Sequence, residues 1–334
     1  MSKMITHMKN RVAERLGSSQ GLSEADLFSL TGKIAIVTGG ASGLGVVTAQ
    51  LLARQGAKVY IGARDGVRAR AAIKNMEDEG LGNAGGSVHW LDLDQSDPRN
   101  ARRAAKEFME LETRLDMVVN NAGKTYPGPF FMNQDGLLDI ITINHISHFA
   151  LVDALLPVLE ATAKEDGSDV RIVNLTSSVY TSATPTSFAT RETLNADYGT
   201  GVQNVTKTYG QTKLANILHA KELQARFTAR GIPVTCMAVH PGSLRTASSE
   251  GFWSMVPVVA PLGQWIFSNG APRDGALVIA FAAAGRKVAE KRAEYAGAYV
   301  VPRGKIGEQS ATAMNTRLQK ELWETTEEIL EGLH

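Results

Sequence analysis

With one cysteine, Cys236, the 334-residue chain has no internal disulfide open to it. The apolar run Val234-Thr235-Cys236-Met237-Ala238-Val239 around that thiol reads as a buried, inert position. Neither charge sign is in excess, since 35 Lys and Arg against 34 Asp and Glu leave a formal charge of +1. A protein that tracks phosphates carries a clear basic surplus, so nucleic acid and anionic membrane surfaces are excluded as partners. The greasiest stretch, 253–267, is interrupted by Pro257, Pro261, Gly263 and Gln264. It falls short of the roughly 20 apolar residues of a membrane span and reads instead as a wall or lid. No metal is expected: His145 and His148 stand three apart, but no Cys or carboxylate at ligand spacing completes a set. The absence of a Gly-x-Ser-x-Gly elbow removes serine hydrolase chemistry. Residues 1–17 mix Lys3, Lys9, Arg11, Glu14 and Arg15 among scattered apolar residues, without the apolar centre of a secretory signal. Glu14, Glu24 and Asp26 argue against a mitochondrial presequence, and a cytoplasmic location is expected.

What is present is a composition of 43% hydrophobic and 21% charged residues, enough for one substantial core. Short apolar runs alternate with stretches of helical period, the pattern of an α/β, doubly wound parallel sheet with helices on both faces. Strands are expected at 33–38, 58–62, 87–91, 115–120, 170–176, 233–239 and 298–301, about seven in all. Helices are expected at 43–55, 66–79, 98–111, 136–160 (carrying Pro157), 207–230 and 311–330. Residues 1–30 read as an N-terminal extension and 31–334 as a single domain.

Two local patterns carry chemistry. Tyr209 and Lys213, four apart in Tyr209-Gly210-Gln211-Thr212-Lys213, share one face of a helix, where an ammonium lowers the pKa of a nearby phenol. That makes a proton donor for a carbonyl, although Tyr-x-x-x-Lys also occurs on ordinary exposed helix faces. Upstream, Thr38-Gly39-Gly40-Ala41-Ser42-Gly43-Leu44-Gly45 joins an apolar strand to a helix. A pyrophosphate needs backbone N–H groups and a helix N-terminus, and glycines let the backbone approach. The Gly-x-x-x-Gly-x-Gly spacing of Gly39, Gly43 and Gly45 departs from the commoner Gly-x-Gly-x-x-Gly and by itself also fits a plain tight connection.

Taken together with Asp92-Leu93, Asn120-Asn121-Ala122-Gly123, Asn144, Ile172 to Ser177, and His240-Pro241-Gly242 followed by Thr246, the chain resembles the short-chain dehydrogenases/reductases. The resemblance is to the branch that includes retinol dehydrogenases and fungal ketoreductases, and it spans about residues 31 to 302. It implies a Rossmann-type domain holding a nicotinamide dinucleotide. Gly39, Ser42, Gly43, Leu44 and Gly45 would form the phosphate turn. Asp92 and Leu93 would border the adenine, while Asn121, Ala122 and Gly123 line the ribose side and Pro241, Gly242 and Thr246 hold the carboxamide. At the end of the second strand the family's acidic NAD position corresponds to the neutral Ala63, and Arg64 follows where relatives hold a 2'-phosphate. NADP(H) is therefore favoured over NAD(H); the competing reading has Asp65 swing in to serve NAD.

For the reaction, hydride delivery to a carbonyl creates an alkoxide, which needs a proton source and hydrogen-bond donors. The resemblance assigns the proton to Tyr209, the substrate oxygen to Ser177, the ribose hydroxyls to Lys213, and a water relaying protons to Lys213 to Asn144. Ser178 is the alternative to Ser177, because neighbouring side chains at a strand end face opposite ways. The interval from Ser177 to Tyr209 is long, and Thr181 to Gln203 reads as an inserted loop. That loop, about 179–206, and 244–270 with its apolar residues between Phe252 and Phe267, would frame a bulky, largely hydrophobic small-molecule carbonyl or alcohol; the second segment equally suits a subunit contact. A homodimer through the long helices, an epimerase or dehydratase on the same scaffold, and a non-catalytic cofactor-binding regulator stay open. The last is disfavoured by the presence of Tyr209, Lys213 and Ser177 together.

Overall fold

The computed structural model describes residues 21–125, 130–242 and 271–333. Its centre is an eight-stranded sheet in the order β3-β2-β1-β4-β5-β6-β7-β8. The strands are β1 (Ile34–Thr38), β2 (Lys58–Ala63), β3 (Ser87–Asp92), β4 (Met117–Asn120), β5 (Val170–Leu175), β6 (Val234–Val239), β7 (Tyr299–Val301) and β8 (Lys305–Ile306). All neighbours run parallel except the short closing pair β7 and β8. The order reverses between β1 and β4, which opens a crevice beyond the carboxyl ends of those strands. The eighth strand, two residues long, is one more than the seven expected and too short to leave an alternation signal.

Seven longer helices cover the sheet: α1 (Gly43–Arg54), α2 (Gly66–Glu79), α3 (Pro98–Leu111), α4 (Ser147–Ala163), α5 (Val202–Ala229), α6 (Pro272–Ala284) and α7 (Thr316–Glu331). The central strands are buried on both faces and largely apolar because each face is covered, as Ile34-Ala35-Ile36-Val37-Thr38 illustrates. Ile36, Val118 and Ile172 join α3, α4, α5 and α7 in one core layer. Val37, Val119 and Val173 join α1 and α6 in the other. Full burial of each such aliphatic side chain contributes about 1.5–3 kcal/mol.

Several starts follow local chemistry. Asp65 caps α2 by accepting from the amides of Val67 and Arg68, and Asp97 caps α3 ahead of Pro98. The predicted helix at 136–160 is shifted and interrupted: it begins at Asp139, passes through a π turn at Thr142–Ile146, and continues as α4. This 25-residue segment is long and apolar enough to cross a membrane, but 67% of its most apolar window is buried inside the domain. Toward the N-terminus, Leu27 and Leu30 are fully packed and the Phe28 amide donates to the Ala284 carbonyl, so this part of the expected extension is core.

Candidate active site

The turn from β1 into α1 is shaped for close backbone approach. Gly39 has φ +65, and a Cβ added at Gly45 would lie 2.3 Å from the Gly39 carbonyl oxygen and 2.7 Å from Asn121 Nδ2. Only glycine fits that crossing. Ser42 occupies the cap position of α1 yet makes no capping hydrogen bond, and Ser42 and Gly43 are exposed while Leu44 is half-buried. The first-turn amides of this helix N-terminus have no side-chain cap from Ser42, a setting that suits an anion.

At the end of β2, Arg64 is exposed and has no ion pair among the described residues. Asp65 is committed to its helix cap, with Oδ1 3.0 Å and 3.1 Å from the two amides it accepts from. That holds its carboxylate away from the swing that an NAD-serving role demands. Asp92 is half-exposed at the end of β3 and shares one oxygen with Arg103 at 3.1 Å. Leu93 is buried instead, its side chain filling the space that Gly62 leaves and its amide donating to the Ala63 carbonyl.

Asn121 and Ala122 are tied to β1. Both backbone amides donate to Thr38 Oγ1 at 2.9 Å, and Asn121 Nδ2 donates to the Thr38 carbonyl at 2.8 Å. Gly123 follows without a side chain, where a Cβ would lie 3.3 Å from Asn144 Oδ1 and 3.6 Å from Lys213 Nζ. The phosphate turn, this loop and the lysine are thus brought to one place. Pro241 and Gly242 leave β6 on the same side, half-buried; Thr246 and the stretch 244–270 lie outside the described residues.

Lys213 Nζ is 5.6 Å from the centre of the Tyr209 ring and donates to the Leu175 carbonyl at 3.2 Å. Tyr209 is half-buried and Lys213 almost wholly buried. Burial pulls the ammonium pKa down from 10.5 to about 8, so it is still mostly protonated at neutral pH. Gly210 between them lets α5 press on the turn after β5: a Cβ there would be 2.3 Å from Ser182 Oγ and 2.7 Å from the Val179 carbonyl. Ser177 opens that turn, and its Oγ accepts from the Val179 amide at 3.3 Å. An accepting hydroxyl keeps its own proton for another acceptor.

Asn144 sits in the π turn with its side-chain amide fully engaged. Nδ2 donates to the Lys124 carbonyl and to Thr212 Oγ1, both at 2.9 Å, and Oδ1 accepts from the Lys124 amide at 2.7 Å. Sequence reasoning missed Thr38, which closes the strand as the first letter of the glycine motif, and Lys124, which follows Asn-Asn-Ala-Gly directly. The inserted loop is partly core: Phe188 is fully buried, its amide and the Ser187 hydroxyl donate to Glu321 of α7, and its carbonyl accepts from Thr325.

A doubly wound sheet with a glycine turn at its crevice and a tyrosine-lysine pair across from it defines the nucleotide-dependent oxidoreductases. Residues 33–189 match the short chain dehydrogenase family model. A short-chain dehydrogenase/reductase of Armillaria gallica is 42% identical over 318 residues, covering 94% of this chain and 98% of the relative. Among solved structures, an uncharacterized protein from Mycobacterium paratuberculosis aligns with TM-score 0.70 and 28% identity, over 93% of this chain and 98% of that one. The NADP complex of RhlG from Pseudomonas aeruginosa aligns with TM-score 0.60 and 26% identity, over 83% and 96%. The chain belongs to the short-chain dehydrogenase/reductase family and is an oxidoreductase.

Proposed function

We propose that the protein is an NADP(H)-dependent oxidoreductase that interconverts a carbonyl and an alcohol on a bulky, largely apolar small molecule. The observation that carries this reading is the pairing of Tyr209 and Lys213, with the ammonium 5.6 Å from the phenol ring, on the helix whose Gly210 presses on the turn that Ser177 opens. NADP(H) is supported by the helix N-terminus at Ser42 without a side-chain cap, by Arg64, exposed and without an ion pair among the described residues, by the commitment of Asp65 Oδ1 to its helix cap, and by an NADP complex among the related structures.

When bound, the nicotinamide supplies or accepts the hydride. The chain's own residues do the rest. Gly39, Gly43, Gly45 and the first-turn amides of α1 hold the pyrophosphate, and Arg64 with Ser42 holds the 2'-phosphate. Ser177 donates to the substrate oxygen, and that bond strengthens as the oxygen becomes an alkoxide. Tyr209 gives its proton to that oxygen, with the buried Lys213 ammonium stabilising the phenolate left behind. The reverse sequence oxidises an alcohol.

The test is consumption of NADPH with a panel of bulky ketones and aldehydes. Tyr209→Phe is expected to lower kcat by about 10²–10⁴ while NADPH affinity stays within twofold. Unchanged turnover in that variant removes the tyrosine mechanism, and no turnover by the parent with any carbonyl or alcohol removes the redox reading.

A further inference from the structure

Thr38 closes β1 and His148 stands in the first turn of α4, and the two side chains meet in the buried interior, with Thr38 Oγ1 2.8 Å from His148 Nε2. The same oxygen accepts from the amides of Asn121 and Ala122, each at 2.9 Å. With the Ala122 amide and the Asn121 amide, the latter shared with the Val119 carbonyl at 2.9 Å, both directed at this oxygen, its own proton points to a third partner. The choices are the Val119 carbonyl at 3.5 Å and His148 Nε2 at 2.8 Å, and the shorter is the better hydrogen bond. Nε2 therefore accepts, and the ring proton is on Nδ1. That nitrogen lies 3.2 Å from the Asn144 carbonyl, which can only accept. A single tautomer satisfies every contact. The ring also stays neutral: burial draws its pKa down to about 3, with Lys213 and His219 adding to the effect and the Asn144 bond opposing it.

We propose that His148 is a positioning residue that ties the cofactor-side loop at Asn121 and Ala122, through Thr38, to the backbone carbonyl of Asn144, whose side chain holds the Lys124 end of the same loop. The loop leads into Gly123, where an added Cβ would lie 3.3 Å from Asn144 Oδ1 and 3.6 Å from Lys213 Nζ, so the loop borders both the Asn144 side chain and the lysine. A displaced loop moves the wall of the nicotinamide site. A displaced Asn144 moves the side chain that holds both backbone groups of Lys124, next to Gly123. The functional half of this proposal rests on the oxidoreductase reading; the tautomer does not.

The experiment has two arms on the full-length protein. Long-range nitrogen-15 spectra of histidine-labelled protein, with His148 assigned by its loss in H148F, are expected to show the proton on Nδ1. A proton on Nε2 overturns the proposal. In the second arm, kcat, carbonyl KM and NADPH affinity are measured for three variants, the last by fluorescence titration. H148Q keeps an acceptor for Thr38 but loses Asn144, and is expected to bind NADPH like the parent while kcat falls about tenfold at unchanged carbonyl KM. H148N keeps a donor for Asn144 but loses Thr38, and is expected to weaken NADPH binding about tenfold with kcat near the parent value. H148F is expected to lose both. A merely structural histidine lowers the melting temperature of all three without this split. Kinetics and affinity within twofold of the parent in folded H148F overturn the proposal. Should the parent reduce no carbonyl, the tautomer and the NADPH affinities still decide it, which separates its failure from that of the redox reading.

Discussion

At the residue scale the informative group is Lys213, because its position sets activity against stability. An ammonium held at a pKa of about 8 by burial is less favourable in the folded than in the unfolded chain, where it titrates at 10.5. The unfolded state binds the extra proton between those values, so stability rises with pH across that window and the full penalty applies below it. Lys213→Met removes the penalty without stranding the Leu175 carbonyl, which still accepts from Asn216 Nδ2 at 2.8 Å. The variant is expected to melt roughly 2–4 °C higher than the parent without cofactor at pH 7. The gap should shrink from pH 8 to pH 10, and turnover should be lost. Differential scanning fluorimetry over a pH series reads the first two; a variant that melts lower at pH 7 shows that the lysine stabilises the fold. Arg64 tests a different term. Arg64→Ala is expected to raise the NADPH KM about tenfold, leaving NADH little changed, because one charge-assisted phosphate contact is gone. Equal effects on both cofactors place Arg64 outside the 2'-phosphate site.

At the scale of elements, the crossing of α5 over the turn after β5 is governed by Gly210. Gly210→Ala must push the Val179 carbonyl aside, and overpacking of that kind costs about 1–3 kcal/mol. Because the same turn carries Ser177, kcat should fall along with the melting temperature. Gly21→Ala, with nothing within 4 Å, is the control that should change neither. These elements also show what was legible. Helices with sharp boundary chemistry were readable: 66–79 and 98–111 coincide with α2 and α3, each preceded by an aspartate cap. Helix α6 was not, since Gly275 to Ala284 is buried on every side and presents no 3.6-residue contrast. The π turn escaped for a related reason: one wider turn barely alters the apolar pattern yet reorients Asn144. Tyr209 and Lys213 were legible because four residues on a helix is a local relation. The contact between Thr38 and His148 joins positions 110 apart and has no local signature.

At the scale of the whole molecule, α7 is the piece that the family motifs do not foretell. It lies across α4 and α5, and its Trp323 ring is 4.6 Å from Phe149, 5.8 Å from His219 and 4.1 Å from the Arg226 guanidinium carbon. Thr326 bonds His145 at 3.0 Å, and Glu321 pins the inserted loop from the other side. Removing that anchor by Trp323→Ala is expected to cost about 3–5 kcal/mol and to loosen the loop as well as the helix. The same packing bears on assembly. A homodimer built on α4 and α5 would have to displace α7 and break the contacts of Trp323 with Phe149, His219 and Arg226. The full chain is therefore expected to run in light scattering as one copy of 35.8 kDa. Engineered cysteines on α4 and α5 make the test specific, because Cys236 is fully buried and its thiol pKa is pushed up by that burial. A mass of two copies with cross-links joining α4 to α4 or α5 to α5 shows that α7 leaves this face in solution. A mass of one copy without such links supports α7 staying packed against α4 and α5 in solution, with Glu321 holding the inserted loop in the same copy.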